Sequence, residues 1–127
     1  MERAKKLTAK KAAGNLGEDA AAEFLRARGY RILARQWRCR FGELDLVAED
    51  AEGIVCFVEV KLRKRNALEL PREAVTPAKQ KRLRLAAQCY LIAAGLEESR
   101  ARFDVAEVYT DGDGRILQIG YLEDAFE

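Results

Sequence analysis

The segment Ile54–Leu62 constrains the fold more than any other part of the chain, with the sequence IVCFVEVKL. β-Branched and aromatic side chains favour extended strands, and a strand that is apolar at almost every position is typical of the middle of a sheet. Only Glu59 and Lys61 interrupt the apolar run. The segment therefore predicts a central strand that carries one acid and one base.

The remaining elements follow from periodicity and turn residues. Before the central strand we expect a helix from Gly17 or Glu18 to Arg28 and a short strand at Tyr30–Ala34. A strand of alternating polar and apolar residues should follow at Gly42–Glu49. After it we expect a charged loop at Arg63–Pro71 and a helix at Thr76–Ala94. A hairpin should follow, with strands at Phe103–Tyr109 and Ile116–Leu122. The order helix, three strands, helix, two strands predicts a mixed α/β sheet flanked by helices.

The length of 127 residues predicts one domain, which we assign to residues 14–127, behind a basic flexible tail at residues 1–13. The chain has no histidine, which excludes histidine triads and most catalytic zinc sites. Its three cysteines fit neither a disulfide framework nor a zinc motif. No signal peptide or apolar span is evident, so we expect a cytoplasmic protein without a membrane partner.

Charge is segregated along the chain although the net charge is only +2. Residues 26–40 contain six arginines and no acid, and residues 41–60 contain six acids and no base. Residues 61–96 are basic again. Basic segments indicate a polyanionic partner such as nucleic acid, and an acidic segment between them could hold a cation. A charged solubilising surface is the alternative interpretation.

The two strands around the turn at Asp50–Gly53 bring the acids together. If Val47 pairs with Phe57, Asp45 lies opposite Glu59, and Glu43 lies opposite Lys61. Side chains that face each other across a ladder have Cβ atoms about 4.5–5.5 Å apart. Two adjacent carboxylates beside a lysine suit Mg²⁺ or Mn²⁺, which prefer oxygen ligands. A cross-strand salt-bridge ladder without a metal is the alternative.

Glu18 falls in the first turn of the predicted first helix, near the side that faces the sheet. An acid at this position either interacts with the helix dipole or reaches the metal site.

Five sequence blocks together resemble the YraN-like family of small bacterial proteins: GEDAAAEFL, FGELDLVAED, VCFVEVKLR, AVTPAKQKRLRLAAQCYL and RFDVAEV. That family is similar to the PD-(D/E)XK nuclease superfamily, which includes archaeal Holliday-junction resolvases. The resemblance implies a single-domain restriction-endonuclease-like fold. It also implies a divalent-metal-dependent endonuclease that hydrolyses phosphodiester bonds in DNA or structured nucleic acid.

Carried over residue by residue, the resemblance implies that Asp45 and Glu59 bind the metal and that Lys61 positions or activates water. It gives Glu18 a supporting role at the metal, and Glu43 is a secondary candidate for an outer metal ligand. Leu44 stands where the superfamily motif usually has proline, so the motif is partial.

Two basic groups are candidates for contacts with the nucleic-acid backbone: Arg63, Lys64 and Arg65 after the central strand, and Lys79, Gln80 and Arg82 on the second helix. We expect Trp37 to pack in the core and Asp104 to pair with an arginine. A non-catalytic nucleic-acid-binding adaptor is the alternative function. Resolvase-like relatives are dimers, so a homodimer is one expected assembly.

Overall fold

The structure is a computed structural model that describes residues 2–64 and 75–127, and for residues 2–14 it describes the backbone. Its elements are two helices, α1 (Glu2–Ala27) and α2 (Pro77–Ala93), and five strands, β1 (Arg31–Cys39), β2 (Gly42–Glu49), β3 (Val55–Lys64), β4 (Ala101–Thr110) and β5 (Ile116–Phe126). This order confirms the predicted arrangement α-β-β-β-α-β-β. Arg65 and most of the predicted loop at Arg63–Pro71 lie outside the described residues.

β3 is the middle strand of a single sheet with the strand order β1-β2-β3-β4-β5. It pairs with β4 in parallel and with β2 in antiparallel orientation, so the sheet is mixed as predicted. Successive β3 side chains point to opposite faces. Val55 and Phe57 enter a core that contains residues of α2, whereas Cys56 and Val58 enter a core that contains residues of α1. Both faces of β3 are therefore buried, which explains its continuous apolar sequence.

α1 begins much earlier than the predicted start at Gly17 or Glu18. Its backbone is helical from Glu2, so the helix includes most of the segment predicted as a tail. Residues 2–13 are rich in alanine and lysine, which favour helices, and no proline interrupts them. Gly14 carries a helix penalty of only about 1 kcal/mol, which is too small to end a helix by itself. Gly29, with a φ of 85°, follows the helix end, where a left-handed conformation suits glycine.

The predicted strand Tyr30–Ala34 was too short, because β1 continues to Cys39. Trp37 is one reason, since its ring packs in the α2-side core against Tyr90, with 5.3 Å between ring centroids. The core position predicted for Trp37 is thus confirmed. The start of α2 is also confirmed, because the Thr76 hydroxyl accepts a hydrogen bond from the backbone N–H of Lys79 at 3.2 Å.

A buried ion-pair network joins strands β4 and β5 to the turn before β3. The carboxylate of Asp104 is fully buried and accepts hydrogen bonds from Arg102 Nε at 3.1 Å, from the Tyr121 hydroxyl and from the backbone N–H of Asp124. Arg102 also donates to Asp50 at 3.1 Å. The structural role predicted for Asp104, through pairing with an arginine, is confirmed.

We predict that Asp104→Ala lowers the free energy of unfolding by about 2–4 kcal/mol, because it leaves the partly buried Arg102, and the buried donors around it, without their main anionic partner. Urea denaturation followed by circular dichroism measures this. Asp113→Ala, on an exposed turn, is the matched control and should stay within about 0.5 kcal/mol of wild type. Equal stability of the two variants would contradict a structural role for Asp104.

Candidate active site

The β2–β3 ladder ends just before the predicted site. The pairing of Val47 with Phe57 is confirmed, but the last paired residues towards the site are Leu46 and Val58. Beyond them, the backbone N–H of Val60 donates to Asp45 Oδ2 at 2.9 Å. The Asp45 side chain therefore takes the place of a backbone acceptor in the ladder.

The simple alternation predicted for β2 fails at Leu44. Leu44 and Val47 both pack in the α2-side core, whereas Leu46 packs in the α1-side core. The neighbouring strand is irregular at the same level, where Gln36 has a φ of 50°. Such left-handed backbone is uncommon for a residue other than glycine, and it changes the direction of the following side chains. Asp45 and Val47 both lie on the α2 side of the sheet, as alternation predicts, and Leu44 is the residue that departs from the pattern.

The acids and two bases meet at one cavity of about 300 Å³. Its walls come from the β1–β2 turn, β2, β3 and α2, and it is lined by Phe41, Gly42, Glu43, Asp45, Glu59, Lys79, Arg82 and Leu83. The structure thus brings together the two predicted core acids and the secondary candidate Glu43. Glu43 does not face Lys61 in the described ladder. Its carboxylate lies 3.5 Å from Arg38 Nε instead.

Asp45 has an unfavourable environment for a charged carboxylate. Burial, followed by the negative charge of Glu59, raises the pKa of Asp45 to about 7. The hydrogen bond from Val60 N–H offsets only part of this shift. Near neutral pH the Asp45 carboxyl can therefore exchange a proton, or release it when a cation binds nearby.

Glu59 is 6% exposed and is held by two lysines. Lys79 Nζ donates a short hydrogen bond to Glu59 Oε1, and Lys61 Nζ lies 3.5 Å from the same oxygen. β3 supplies Glu59 and Lys61 from alternate positions, while α2 delivers Lys79 from its first turn. The predicted proximity of Glu59 and Lys61 is present, and Lys79 joins them.

The two lysines differ in their electrostatics. Burial, and then the nearby Lys79 ammonium, lower the pKa of Lys61. Burial also opposes the charge of Lys79, but the Glu59 carboxylate outweighs it, so the pKa of Lys79 is raised. Lys61 is therefore the lysine that gives up a proton more readily, and Lys79 is the more persistent cation.

Glu18 lies outside the cavity lining but within electrostatic range of it. Burial is the main reason that its pKa is raised, and its charge in turn raises the pKa of Asp45. Its Oε2 accepts a hydrogen bond from Gln36 Nε2 at 3.3 Å, whereas its buried Oε1 has no hydrogen-bond partner. That oxygen lies 3.9 Å from the guanidinium of Arg35. The predicted first-turn position of Glu18 is wrong, because α1 begins at Glu2 and Glu18 lies in the helix interior, where the helix dipole does not explain an acid.

The predicted backbone-binding residues separate into different environments. Arg63 belongs to β3 rather than to a loop, and its Nε lies 3.6 Å from the buried carboxylate of Glu107. Gln80 donates to the Val75 carbonyl at 3.0 Å and so holds the start of α2. Lys64 is exposed at the end of β3. Lys79 and Arg82 are the members of the predicted set that line the cavity.

The basic segment at residues 26–40 is largely balanced by acids. Four of its six arginines form ion pairs: Arg26 with Glu23, Arg31 with Glu49, Arg35 with Asp19 and Arg38 with Glu43. The surface of β1 is therefore less positive than the sequence alone indicates. This part of the charge pattern agrees with the alternative of a charged, solvated surface.

Sequence reasoning missed Phe41 and Leu83 as cavity residues. Leu83 follows from the apolar side of α2, where it is 6% exposed. The residue type could have pointed to Phe41, because a large apolar side chain directly before the glycine that starts a predicted strand is unusual in a hairpin turn.

The acid pair can accommodate a hard divalent cation with few protein ligands. Among the side chains of residues 15–64 and 75–127, no three from histidine, cysteine, aspartate or glutamate are arranged to hold a metal together. Mg²⁺ often uses one or two carboxylates and keeps several waters. Asp45 and Glu59 supply two carboxylates, and the cavity has room for a hydrated ion.

These features define an α/β protein whose mixed sheet carries a carboxylate–lysine cavity at the end of a hairpin ladder. The chain belongs to the uncharacterised protein family UPF0102, whose model matches residues 17–108. This confirms the resemblance to the YraN-like family.

Relatives of this chain are similar along most of their length. A UPF0102 protein of Symbiobacterium thermophilum is 51% identical over 113 residues, which is 89% of this chain and 94% of the relative. A UPF0102 protein of Pelotomaculum thermopropionicum is 45% identical over 118 residues, or 93% of this chain and 98% of the relative. Within the described part of the chain, neither helix is long and apolar enough to cross a bilayer.

We predict that Asp45→Asn removes a pH-dependent loss of stability. Because the pKa of Asp45 is about 7 in the folded protein and 3.8 ordinarily, the folded state keeps a proton that the unfolded chain has lost. Its contribution to stability is present at low pH and is lost as pH rises from about 4 to about 7.

With a chelator present to remove metal ions, the free energy of unfolding of Asp45→Asn at pH 8 should therefore exceed that of wild type by roughly 1–3 kcal/mol. One pKa unit corresponds to about 1.4 kcal/mol. Urea denaturation at pH 5 and pH 8 measures the difference, which should shrink at the lower pH. A constant difference across this range would mean that the pKa of Asp45 is not raised.

Proposed function

We propose that this protein is a divalent-metal-dependent nuclease that hydrolyses phosphodiester bonds, with DNA as the expected substrate. The observation that carries the proposal is the cavity in which Asp45 and Glu59 lie beside Lys79 and Arg82, with Lys61 at Glu59. Carboxylates bind the cations that accompany phosphates, and lysine and arginine bind the phosphate itself. The resemblance to PD-(D/E)XK nucleases assigns the same central acids and Lys61.

In this proposal Asp45 and Glu59 hold Mg²⁺ or Mn²⁺. The bound cation would supply Lewis-acid charge at the phosphate and would lower the pKa of water. Glu18 adds negative charge behind Asp45 and so favours the cation. Once a cation neutralises the site, Asp45 can remain ionised at neutral pH.

The lysines and Arg82 act on the substrate. A water molecule attacks phosphorus, the bond from phosphorus to one ester oxygen breaks, and the Lys61 amine, whose neutral form is favoured by its lowered pKa, takes the proton of the water. Lys79 and Arg82 hold phosphate oxygens from α2, and solvent protonates the leaving oxygen. A cation held by Glu59 would compete with Lys79 for the same oxygen and would leave Lys79 free to contact the phosphate. The free thiols of Cys39, Cys56 and Cys89 fit the reducing cytoplasm that we propose as its location.

We expect Mg²⁺ or Mn²⁺ to support cleavage of at least one substrate in a panel of single-stranded, duplex and branched DNA and RNA. Asp45→Asn and Lys61→Ala should each lower the cleavage rate at least about 100-fold, the scale of a lost acid–base or metal-binding group. Gel-resolved cleavage of labelled oligonucleotides measures this.

Asp113→Asn and Arg115→Ala are matched controls in the exposed β4–β5 turn and should cleave like wild type. Circular dichroism melts should show that both site variants remain folded. Full activity of both site variants would reject the assignment.

A non-catalytic nucleic-acid-binding adaptor is the second candidate. One observation favours it: two lysines already neutralise Glu59, and within the described residues no metal-binding group of three acids is formed. In this case Lys79 and Arg82 would bind phosphates while the acids remain paired with bases.

Titration calorimetry with Mn²⁺ separates the two candidates. The nuclease proposal predicts binding that Asp45→Asn weakens at least about tenfold, as expected when a charged oxygen ligand is lost. Asp113→Asn should bind Mn²⁺ like wild type. No heat with Mn²⁺, together with unchanged nucleic-acid binding by Asp45→Asn, would favour the adaptor.

A further inference from the structure

Phe41 has a position that core packing does not explain. It lies in the two-residue turn between Cys39 and Gly42, which are paired residues of β1 and β2. It lines the cavity of Asp45 and Glu59, yet it belongs to neither hydrophobic core of the described structure. A half-buried phenyl ring at the wall of a charged cavity therefore calls for a ligand with an apolar face.

The ring of Phe41 is held by a charged neighbour. The guanidinium carbon of Arg40 lies 4.7 Å from the ring centroid, which is within range of a cation–π interaction. This contact covers one side of the ring, while another part of it lines the cavity. Because only two torsions orient a phenyl ring, such a contact prepares it for stacking at small entropic cost.

The other walls define the rest of the ligand. Lys79 and Arg82 line the cavity from α2 and offer positive charge, and Leu83 adds a buried apolar surface. A ligand that matches these walls has a flat apolar face and an anionic group a short distance away. A nucleotide has this combination, and a volume of about 300 Å³ suits one nucleotide better than a longer segment.

We propose that the cavity binds one unpaired nucleotide, with its base stacked on Phe41 and its phosphate beside Lys79 and Arg82. This inference rests on the proposed function, because it takes nucleic acid as the ligand of the same cavity. It narrows the substrate to nucleic acid with a single-stranded nucleotide at the site. Inside a duplex both faces of each base are stacked on neighbouring bases, so only the terminal pairs of a blunt duplex offer a face to the ring.

Binding measurements test the subsite without cleavage. Fluorescence anisotropy would compare a labelled single-stranded oligonucleotide with the blunt duplex of the same sequence, in Ca²⁺ and with strand integrity checked on a gel. Phe41→Ala and Phe41→Leu should weaken single-strand binding roughly 5- to 100-fold, the range for one lost base–aromatic stack. Duplex binding should change less than about twofold by the same reasoning. Phe41→Trp should retain single-strand affinity.

Ile92→Ala is the matched control, since Ile92 is an exposed apolar residue near the far end of α2. It should bind both oligonucleotides like wild type. Phe41→Trp provides a second readout, because single strands should quench its fluorescence beyond the change seen in wild type, which has only Trp37. If Phe41→Ala does not fold, Phe41→Leu and Phe41→Trp still decide the question.

The outcomes separate this inference from the proposed function. Wild-type affinity of Phe41→Leu for single strands, or equal weakening for both oligonucleotides, would overturn the stacking subsite and leave the nuclease proposal standing. Failure of the wild-type protein to bind either oligonucleotide would overturn both. Selective loss of single-strand affinity with quenching in Phe41→Trp would support the subsite.

Discussion

The candidate site depends on the hydrogen bond from the Val60 backbone N–H to the Asp45 carboxylate, because this bond allows the β2–β3 pairing to end at the cavity. In a regular hairpin, the Val60 N–H would bond to a carbonyl of β2, and the two strands would leave no space between them. Here pairing ends at Leu46 and Val58, and a side chain satisfies the next backbone donor. The pairing can therefore end without an orphaned amide, and the acids just beyond the last pair line the cavity together with residues of α2. The same hydrogen bond therefore ends the strand pairing and holds the Asp45 carboxylate at the site.

Two charged networks on the same sheet show how differently burial can be used. Around Asp104, one carboxylate oxygen accepts from Arg102 and the Asp124 backbone and the other from Arg102 and Tyr121, so the charge is buried and satisfied. Around Asp45, two acids approach each other, and the pKa of Asp45 is raised to about 7. The first arrangement stabilises the fold, and the second is unfavourable unless a cation or proton enters. Perturbed carboxyls of this kind concentrate at functional sites, and this contrast supports a functional reading of the cavity.

Much of this arrangement could be predicted from local sequence signals, because the signals are strong where one face or both faces of an element are buried. The register of Val47 with Phe57 followed from alternation, and the start of α2 followed from Thr76 and Pro77. The irregular backbone at Gln36 could not be predicted, because glutamine carries no preference for positive φ. That irregularity alters the direction of side chains in β1 and β2. The cavity lining therefore depended on a tertiary feature, and Phe41 and the contact of Lys79 with Glu59 were not predictable from spacing.

The position of Lys79 also bears on how such a site could operate. With no cation present, a buried Glu59 needs a positive partner, and Lys79 and Lys61 fill that role. A divalent cation at Asp45 and Glu59 would compete with both lysines for the same oxygen. Lys79 comes from the first turn of α2 and its side chain is about one-third exposed, at 35%, so it can move towards the cavity opening at little cost. Cation entry and phosphate binding would then be coupled through one flexible side chain, since the lysine displaced from the carboxylate becomes available to the phosphate.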